Sequence, residues 1–256
     1  MPYAGDLHVN QPFINVSVKY SYGELIGDQV FPPVLVNKES DIYYVYDRDY
    51  LKVPHTFRAD GAEANEVNWG VSTSTYSLNE HALRELVTDR ARGNADAPLD
   101  VDVDTTENLT RRILIRRELS IANAVLTTTS FGQTHAAGAV WTSLTTTTNI
   151  IGDINTATAV VLANAGVYPN LMVIPQQSWM GAKEQPNIIE KIKYSKRAVI
   201  TTDMIASMFD ISKVLVGRAI WDTAKDGIAP STSYVWDTNT FLGYVEPSPG
   251  IRKVSS

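Results

Sequence analysis

Apolar and polar residues alternate with a period of two at several places in the first 80 residues. Ile14, Val16 and Val18 alternate with polar residues, which predicts a short, half-buried strand. The pattern also predicts an aromatic-rich strand over 42–46 and a return strand of Val, Ser and Thr over 71–76. These short segments of period two indicate that the first part of the chain is extended rather than helical.

The two strands over 42–46 and 71–76 have little apolar surface with which to build a core of their own. Turn-forming residues over 59–63 separate them, and an isolated two-stranded hairpin is only marginally stable in water. We therefore expect a projecting hairpin that is stabilised by lying on another chain. Residues 1–40 are expected to form an extended arm, which lies either on its own domain or on a neighbouring subunit.

The strongest helical pattern covers residues 100–131. Asp104 and Glu107 have the spacing of a capping box. Apolar residues then spread around much of the circumference, which predicts a helix that is covered on more than one side. At about 1.5 Å per residue such a helix is roughly 35 Å long. A second, shorter helix is predicted over 81–92.

The second half of the chain alternates between helical and extended patterns, so the fold class is α+β. A helix over 149–165 ends at Gly166, with Pro169 beyond it, and a buried strand follows over 171–174. The remaining predicted elements are helices over 178–184, 187–192 and 202–209 and strands over 214–216, 233–236 and 241–245, the last two joined by the turn 237–240.

Composition narrows the classes of function. Of 256 residues, 44% are hydrophobic, and 22 basic against 28 acidic residues give a net charge of −6. The acidic balance disfavours a protein whose affinity comes from neutralising phosphates. The chain has no cysteine, which excludes disulfide scaffolds, thiolate nucleophiles and zinc–thiolate sites. No apolar run reaches the roughly 18 residues of a membrane-spanning helix.

No catalytic, cofactor-binding or metal-binding residue is predicted. The four histidines lack the spacing of zinc ligands, and no nucleophile elbow, phosphate-binding loop or dinucleotide fingerprint is present. Asp100, Asp102 and Asp104 alternate, but the glycine and terminal glutamate of a calcium loop are missing. An acidic cluster at the start of a helix is the simpler interpretation.

The candidate functional residues are therefore surface residues. Four arginines in the long helix are predicted to form a solvated or intersubunit ion-pairing face, with phosphate contact as the alternative. The five tryptophans are expected to be core or interface anchors. The predicted subunit-interface residues are Tyr44, Tyr46, Lys52, Phe57, Trp69, Tyr76, Arg111, Arg112, Arg116 and Arg117.

An arm, a long hairpin, one long helix and a mixed α/β remainder occur in the same order in the tailed-phage major capsid proteins, and the sequence resembles that family over nearly the whole chain. No single motif carries the resemblance. The similar segments are 62–67 and 76–78 for the extended loop, 108–126 for the spine helix, and 169–175, 214–219 and 241–250 for strands and loops of the peripheral and axial domains.

The resemblance implies a Hong Kong 97-like fold with four parts. These are an N-terminal arm over 1–40, an extended loop and exit helix over 41–92, a spine helix and connector of the peripheral domain over 93–148, and an axial domain with returning strands over 149–256. It further implies a structural protein rather than an enzyme. Copies would assemble in the host cytoplasm as hexamers and pentamers into the icosahedral shell of a virion, around double-stranded DNA that is held without sequence-specific binding.

Other implied partners are a portal and a decoration protein. A separate scaffolding protein is also implied, because the arm follows Met1 almost at once. Members of this kind continue beyond the Ser-Pro-Gly turn, so we expect a C-terminal truncation or a missing peripheral part. Lys52 is a hairpin lysine, but no asparagine can be assigned to it for the covalent cross-link of some shells. The alternatives are the shell of an encapsulin-type nanocompartment and a hydrolytic enzyme with an α+β core.

Overall fold

The computed structural model describes residues 23–46, 48–68, 70–95, 100–127, 141–142, 148–192, 200–225 and 227–247. The chain folds into two compact units. Val34–Ala82 forms one, and the segments on either side of it form the other. No helix among the described residues is both long and apolar enough to cross a membrane. The strand predicted over 14–18 lies outside the described residues.

The unit Val34–Ala82 is built on one antiparallel hairpin. Strand β1 (Ser40–Tyr46) pairs with β2 (Val71–Ser77), so that Ser40 lies opposite Ser77 and Tyr46 opposite Val71. Both predicted strands are confirmed. Aromatic and β-branched residues favour this pleated conformation, and a 3₁₀ turn, Arg48–Leu51, is the other regular element among the described residues of the unit.

The other unit begins, within the described residues, with a helical turn, α1 (Gly27–Val30). Ile26 and Val30 are each only 1% exposed. The prediction of an extended arm through residue 40 is therefore wrong for this segment. The reason is tertiary, because a single turn of helix has no local stability and forms here by packing its apolar side against the core.

Helix α2 (Asp89–Gly93) is much shorter than the helix predicted over 81–92. Leu83 and Leu86 are 50% and 82% exposed, so no apolar surface covers the face on which that helix would depend, and most helical stability in proteins comes from such packing. The helix begins at Asp89 instead, and Thr88 caps it, because its hydroxyl accepts a hydrogen bond from the Ala91 N–H at 3.2 Å.

Helix α3 (Val101–Leu126) has 26 residues, and at about 1.5 Å per residue it is about 39 Å long. Its existence is confirmed, but the predicted capping box is wrong. Asp100 caps the helix by accepting hydrogen bonds from the N–H groups of Asp102 and Val103. Because the helix begins at Val101, one turn before the predicted capping box, Glu107 lies inside it and pairs with Arg111.

The centre of this unit is a three-stranded sheet in the order β4-β3-β7. Strand β3 (Leu171–Pro175), all of whose residues are buried, runs parallel to β4 (Lys213–Gly217) and antiparallel to β7 (Phe241–Gly243). The strands predicted at these positions are confirmed. Helix α4 (Ile150–Ala165) precedes β3, with Asn149 as its N-cap and Gly166, at a φ of 69°, as its left-handed C-cap.

Three short helices connect β3 to β4: α5 (Gln176–Glu184), α6 (Pro186–Ile192) and α7 (Thr202–Met208). All three were predicted within two residues. They complete a parallel β–α–β connection, which requires a crossover of this kind. Tyr168 donates a hydrogen bond from its hydroxyl to the Phe209 carbonyl at 3.0 Å, which attaches the end of α7 to the entrance of β3.

Strands β5 (Ile220–Asp222) and β6 (Thr232–Tyr234) pair antiparallel in a separate small sheet. As expected, the turn 237–240 connects β6 to β7 along the chain. The two strands do not pair with each other, however, because β6 pairs with β5 and β7 pairs with β3. Asp222 closes the β5–β6 loop by accepting N–H hydrogen bonds from Ala224 and Ser231, both 2.9 Å. These two bonds hold the pKa of Asp222 below its ordinary value of 3.8.

Strand β3 supplies both hydrophobic cores of this unit. Met172 and Ile174 pack with α4–α7 in one cluster, whereas Leu171 and Val173 pack with α1, α3 and Trp236 in the other. Since successive side chains of a strand point to opposite faces, a strand covered on both sides is apolar throughout. Trp179 and Trp236 are buried, 3% and 0% exposed, as expected of core anchors.

Candidate functional site

The hairpin unit has no core of its own among its described residues, since every one of them is exposed or only half-buried. Its large apolar side chains therefore face outwards. Their exposed fractions range from 38% to 99%. A soluble monomer rarely exposes a contiguous apolar surface of this kind, and such a surface marks a site of interaction. The residues are Val34, Leu35, Val36, Ile42, Tyr43, Tyr44, Val45, Leu51, Val53, Phe57, Val67, Val71 and Leu78.

The register of the hairpin assigns its side chains to two faces. Ile42, Tyr44 and Tyr46 share one face with Val71, which lies directly opposite Tyr46. We call this set the apolar hairpin face; Ile42 is 59% exposed and Tyr44 68%. Fully burying one such side chain is worth about 1.5–3 kcal/mol. Covering this face would thus contribute several kcal/mol to an association.

The opposite face of the hairpin is mixed. Tyr43 and Val45 are 49% and 38% exposed, and Tyr76 is half-buried, with its hydroxyl donating to the Lys38 carbonyl at 3.3 Å. Lys38 also pairs with Asp41 at 3.0 Å. The hydrogen bond and charge of Asp41 raise the pKa of Lys38. Polar and ionic contacts, including the Lys38–Asp41 pair, accompany this face.

Lys52 and Phe57 lie in the segment between the strands. Lys52 forms an ion pair with Asp49, whose pKa is lowered by that hydrogen bond and charge. Phe57 is 78% exposed and contacts His55 edge to face, with ring centroids 6.3 Å apart. Trp69, another predicted interface residue, lies outside the described residues.

An acidic turn lies further along the segment between β1 and β2, at residues 59–62. Ala62 donates its N–H to the Ala59 carbonyl at 3.1 Å, and Gly61 adopts a φ of 76°, which a residue with a Cβ rarely takes. The exposed carboxylates of Asp60, Glu63 and Glu66 occupy this turn and the residues just after it. No basic residue lies between 59 and 66, so the segment itself carries three negative charges; Arg58 directly precedes it.

The four arginines of α3 divide into two pairs. Arg111 bonds Glu107 at 3.4 Å, and Arg117 bonds Asp28 of α1 at 2.6 Å. Arg112 and Arg116 are exposed, and no acidic partner for either occurs within the part of the chain that the structure describes. The structure thus assigns two arginines to contacts within the chain and leaves two facing outwards.

The structure also contains a buried structural residue that the sequence pattern did not identify. Glu118 of α3 is 3% exposed and accepts three hydrogen bonds. Its Oε1 accepts from the Ile26 N–H at 2.9 Å and from the Trp236 Nε1–H at 2.7 Å, and its Oε2 accepts from the Gly27 N–H at 2.8 Å. One carboxylate therefore joins the long helix to α1 and to the segment after β6.

A weak signal for Glu118 was present in the sequence. It is the last charged residue before a wholly uncharged stretch of α3, and it stands four and seven residues before the buried Ala122 and Val125. That spacing places it on the buried side of the helix. Its partners come from positions about 90 residues before it and 118 after it, and no local pattern identifies them.

No candidate metal centre occurs among the residues that the structure describes, since no three histidine or acidic side chains converge there. Apart from the buried Glu118, the charges described above occur in exposed ion pairs, in the acidic turn and on the exposed side of α3. An exposed apolar face and exposed charged segments are each suited to contacts with a macromolecule.

Comparison with known proteins gives a consistent result. No protein-family model matches the chain. The chain is 27% identical over 240 residues to the major capsid protein of Burkholderia phage BcepMu, and the match covers 93% of this chain and 76% of that protein. It is 23% identical over 236 residues to the major capsid protein of Pseudomonas phage JBD67, covering 90% and 74%. The resemblance to phage major capsid proteins is thereby confirmed.

A solved structure shares the fold. A phage-related protein from Bordetella bronchiseptica RB50 superimposes with a TM-score of 0.63 at 24% identity, and the match covers 90% of this chain and 75% of that one. The α+β class is confirmed by the mixed helices and sheets of the described residues.

Proposed function

We propose that this chain is the major capsid protein of a tailed bacteriophage and assembles, with a Hong Kong 97-like fold, into the icosahedral shell around a double-stranded DNA genome. The single observation that carries the proposal is the 27% identity to a phage major capsid protein over 93% of the chain. The presence of a hairpin unit without a core among its described residues, a 26-residue helix and a sheet-centred unit supports the finer assignment of the fold.

In this proposal the parts of the chain have separate tasks. The N-terminal part, predicted as an arm over 1–40, has its packed turn α1 within the larger unit, while 41–92 form the extended loop and its exit, 93–148 the spine helix and connector, and 149–256 the axial domain. The apolar hairpin face lies on a neighbouring subunit, because burying it contributes free energy that the hairpin cannot gain alone. Of the other predicted interface residues, Lys52, Phe57, Trp69 and Tyr76 belong to the same extended loop, and the four arginines belong to the spine helix.

Assembly follows from repetition of modest contacts. Heterologous contacts around local rings build hexamers and pentamers, and contacts between rings close the lattice. Each subunit takes part in several contacts, so the closed shell is stable although single contacts are weak. The protein is not an enzyme in this role. A separate scaffolding protein, a portal and a decoration protein are the further partners.

The relation to DNA is confinement rather than specific binding. The net charge of −6 makes the shell protein repel a polyanion on average, so packaged DNA is held by the closed wall and not by base contacts. The protein thus belongs to the virion, after assembly in the host cytoplasm.

The experiment that tests this proposal is expression of the full chain, with and without the scaffolding protein of the same phage, followed by size-exclusion chromatography and negative-stain microscopy. We expect rings or closed particles of megadalton size. A stable monomer in both preparations would contradict the proposal.

A variant tests the role of the apolar hairpin face. Tyr44→Lys places a charge on a side chain that is 68% exposed, so the subunit should fold normally, with a change in stability within about 0.5 kcal/mol, while particle formation is lost. Asn155→Lys, on the exposed side of α4, is the matched control and should assemble. Normal particles from Tyr44→Lys would show that this face is not buried between subunits.

A further inference from the structure

We propose that residues 79–88, the switch segment, change from irregular coil to helix when a second copy of the chain covers Leu83 and Leu86, so that helix α2 becomes longer at its N-terminus. The inference rests on the proposed function, because it requires copies of the chain to associate. It explains why the sequence has the signals of a helix where the single subunit has no regular structure.

The sequence from 79 to 93 contains the signals of one long helix. Asn79 is a preferred N-cap residue. Glu80 would lie in the first turn, where a negative charge is favourable. Three apolar residues follow at the spacing of one helix side: Leu83, Leu86 and Val87. A start, a favourable charge and an apolar side are therefore present for a helix longer than α2.

In the structure the switch segment is irregular and exposed to solvent. Within the described part of the chain, the backbone groups of residues 79–87 form no hydrogen bond. Leu83 is 50% exposed and Leu86 82%. A short helix is marginal in water unless its apolar side is covered. The uncovered leucines thus account for the coil in the single subunit.

Helix α2 (Asp89–Gly93) is a preformed nucleus for the longer helix. Arg92 anchors it to the start of α3, since its Nε donates to both carboxylate oxygens of Asp102, at 3.1 and 2.9 Å. Its Nη1 donates to Asp89 at 2.9 Å. Forming the first turn is the costly step of helix formation, whereas each residue added afterwards gains a hydrogen bond. Growth from an anchored turn therefore avoids most of the nucleation cost.

Thr88 is the residue at which the two states differ. As the N-cap of α2 it has a non-helical ψ of 151°, and its hydroxyl accepts a hydrogen bond from the Ala91 N–H. In the longer helix Thr88 adopts helical dihedral angles, and Asn79 takes over as the cap. One cap replaces another, so covering of the apolar side decides which state is favoured.

A second copy of the chain is the occupant that the neighbouring residues favour. The switch segment begins two residues after β2 (Val71–Ser77), and Leu78 between them is 54% exposed. The exposed apolar residues of the hairpin unit therefore continue along the chain into the switch segment. Two glutamates and one arginine nearly balance in it, which favours a protein surface over a nucleic acid.

Two proline substitutions test the switch, one as the matched control of the other. Glu85→Pro places proline inside the longer helix, where it removes a hydrogen bond and clashes with the preceding turn. Glu80→Pro places it at the first helical position, which tolerates proline. Both glutamates are exposed, and neither N–H is bonded within the described residues. Each variant removes one charge, and the two free subunits should be equally stable in urea unfolding.

The readout is residue-resolved hydrogen exchange of the full chain, as free subunits and as particles assembled with the scaffolding protein. A helix capped at Asn79 leaves the N–H groups of 80–82 without a backbone partner and bonds those of 83–90 in an unbroken run. Assembly should slow exchange of this run by roughly tenfold or more in the wild type and in Glu80→Pro. In Glu85→Pro the run should not form, and the yield of particles should fall by more than about tenfold.

Replacing the cap of the longer helix gives a second test, which decides the question if Glu85→Pro lowers the stability of the free subunit. Asn79 is exposed and has no hydrogen-bond partner among the described residues, so Asn79→Ala should leave the free subunit unchanged. In particles, exchange of 83–90 should become about fivefold faster. Asn79→Asp keeps a capping oxygen and should exchange as the wild type does.

Equal particle yields from the two proline variants would overturn the switch, as would alternating protection, or none, over 83–90. Protection of this run in free subunits would also overturn it, because the helix would then exist before association. If the scaffolding protein alone induces the protection, that protein covers the leucines and the assignment of a second copy is wrong.

The switch and the proposed function fail in different ways. Wild-type particles without the protected run refute only the switch. The protected run in small oligomers that never close into shells supports the switch and refutes the proposed function. The absence of both refutes both.

Discussion

Replacing Glu118 is the perturbation that tests the internal connections of the larger unit. Glu118→Gln keeps the size of the side chain but changes one acceptor oxygen into an amino group. If the amide oxygen takes the place of Oε1, it still accepts from Ile26 and Trp236. The amino group then meets the Gly27 N–H, which is a donor, and that buried N–H loses its partner.

The magnitude follows from these three contacts. An unsatisfied buried donor costs about 1–3 kcal/mol, and two hydrogen bonds to a charged oxygen become two weaker neutral ones. Relief of the desolvation cost of the buried charge offsets part of this loss. We expect a net loss of about 2–4 kcal/mol, which corresponds to a decrease in Tm of roughly 5–15 °C for a chain of this size.

The assay is chemical and thermal unfolding of the unassembled subunit, followed by tryptophan fluorescence, because Trp236 donates to the carboxylate and reports on its surroundings. Glu107→Gln is the matched control. Its ion pair with Arg111 is exposed and spans 3.4 Å, so its loss should cost at most about 0.5 kcal/mol.

A Glu118→Gln subunit as stable as the Glu107→Gln subunit would refute the reasoning. A double-mutant cycle with Trp236→Phe sharpens the test. The two substitutions remove partners of one hydrogen bond, so their effects should fall short of additivity by about 1 kcal/mol or more. Strict additivity would mean that the 2.7 Å bond contributes nothing to stability.

Two further predictions concern the same unit. Gly27→Ala should destabilise the subunit by about 1–3 kcal/mol, since a Cβ there would lie 2.6 Å from Glu118 Oε2 and 2.8 Å from Ile121 Cδ1; Gly93→Ala, whose Cβ would meet nothing within 4 Å, should be neutral in the same unfolding experiment, and equal effects would contradict the packing around Gly27. Because folding lowers the pKa of Asp222 below its ordinary value of 3.8, the carboxylate stabilises the folded subunit above that pH and ceases to do so as the pH falls through the lowered pKa. In urea unfolding, the wild-type subunit should therefore have a higher free energy of unfolding than Asp222→Asn at pH 7, and this difference should shrink below pH 3.8. A difference that does not depend on pH would refute this.

Local sequence patterns predicted the elements whose stability depends on their own residues or on one continuous apolar face. The prediction of helix α4 is correct at both ends because Asn149 and Gly166 supply its caps. Strand β3 was correct because a run of buried apolar residues ending at a proline has few alternatives. The prediction of the hairpin strands is correct. The sequence indicated that their apolar side chains have few partners within the unit, and in the structure these side chains are exposed.

Other elements were wrong because the deciding contacts are distant in sequence. The pattern over 81–92 is compatible with a helix, yet among the described residues nothing covers Leu83 and Leu86, which are 50% and 82% exposed. Residues 26–30 suggested an extended arm, yet they pack against α3, more than 80 residues away. In both places the chain adopts the conformation that tertiary packing favours over the local preference.

The amino-acid sequence by itself determined the α+β class, the long helix and the presence of a hairpin unit with more apolar residues than its strands can bury. Only the tertiary structure decided which arginines of that helix face outwards, and only it revealed that Glu118 joins three distant segments. Hydrophobic periodicity is a property of neighbouring residues and is visible in the chain. The partner of a buried carboxylate is set by where the folded backbone brings free N–H groups, and that depends on the whole fold.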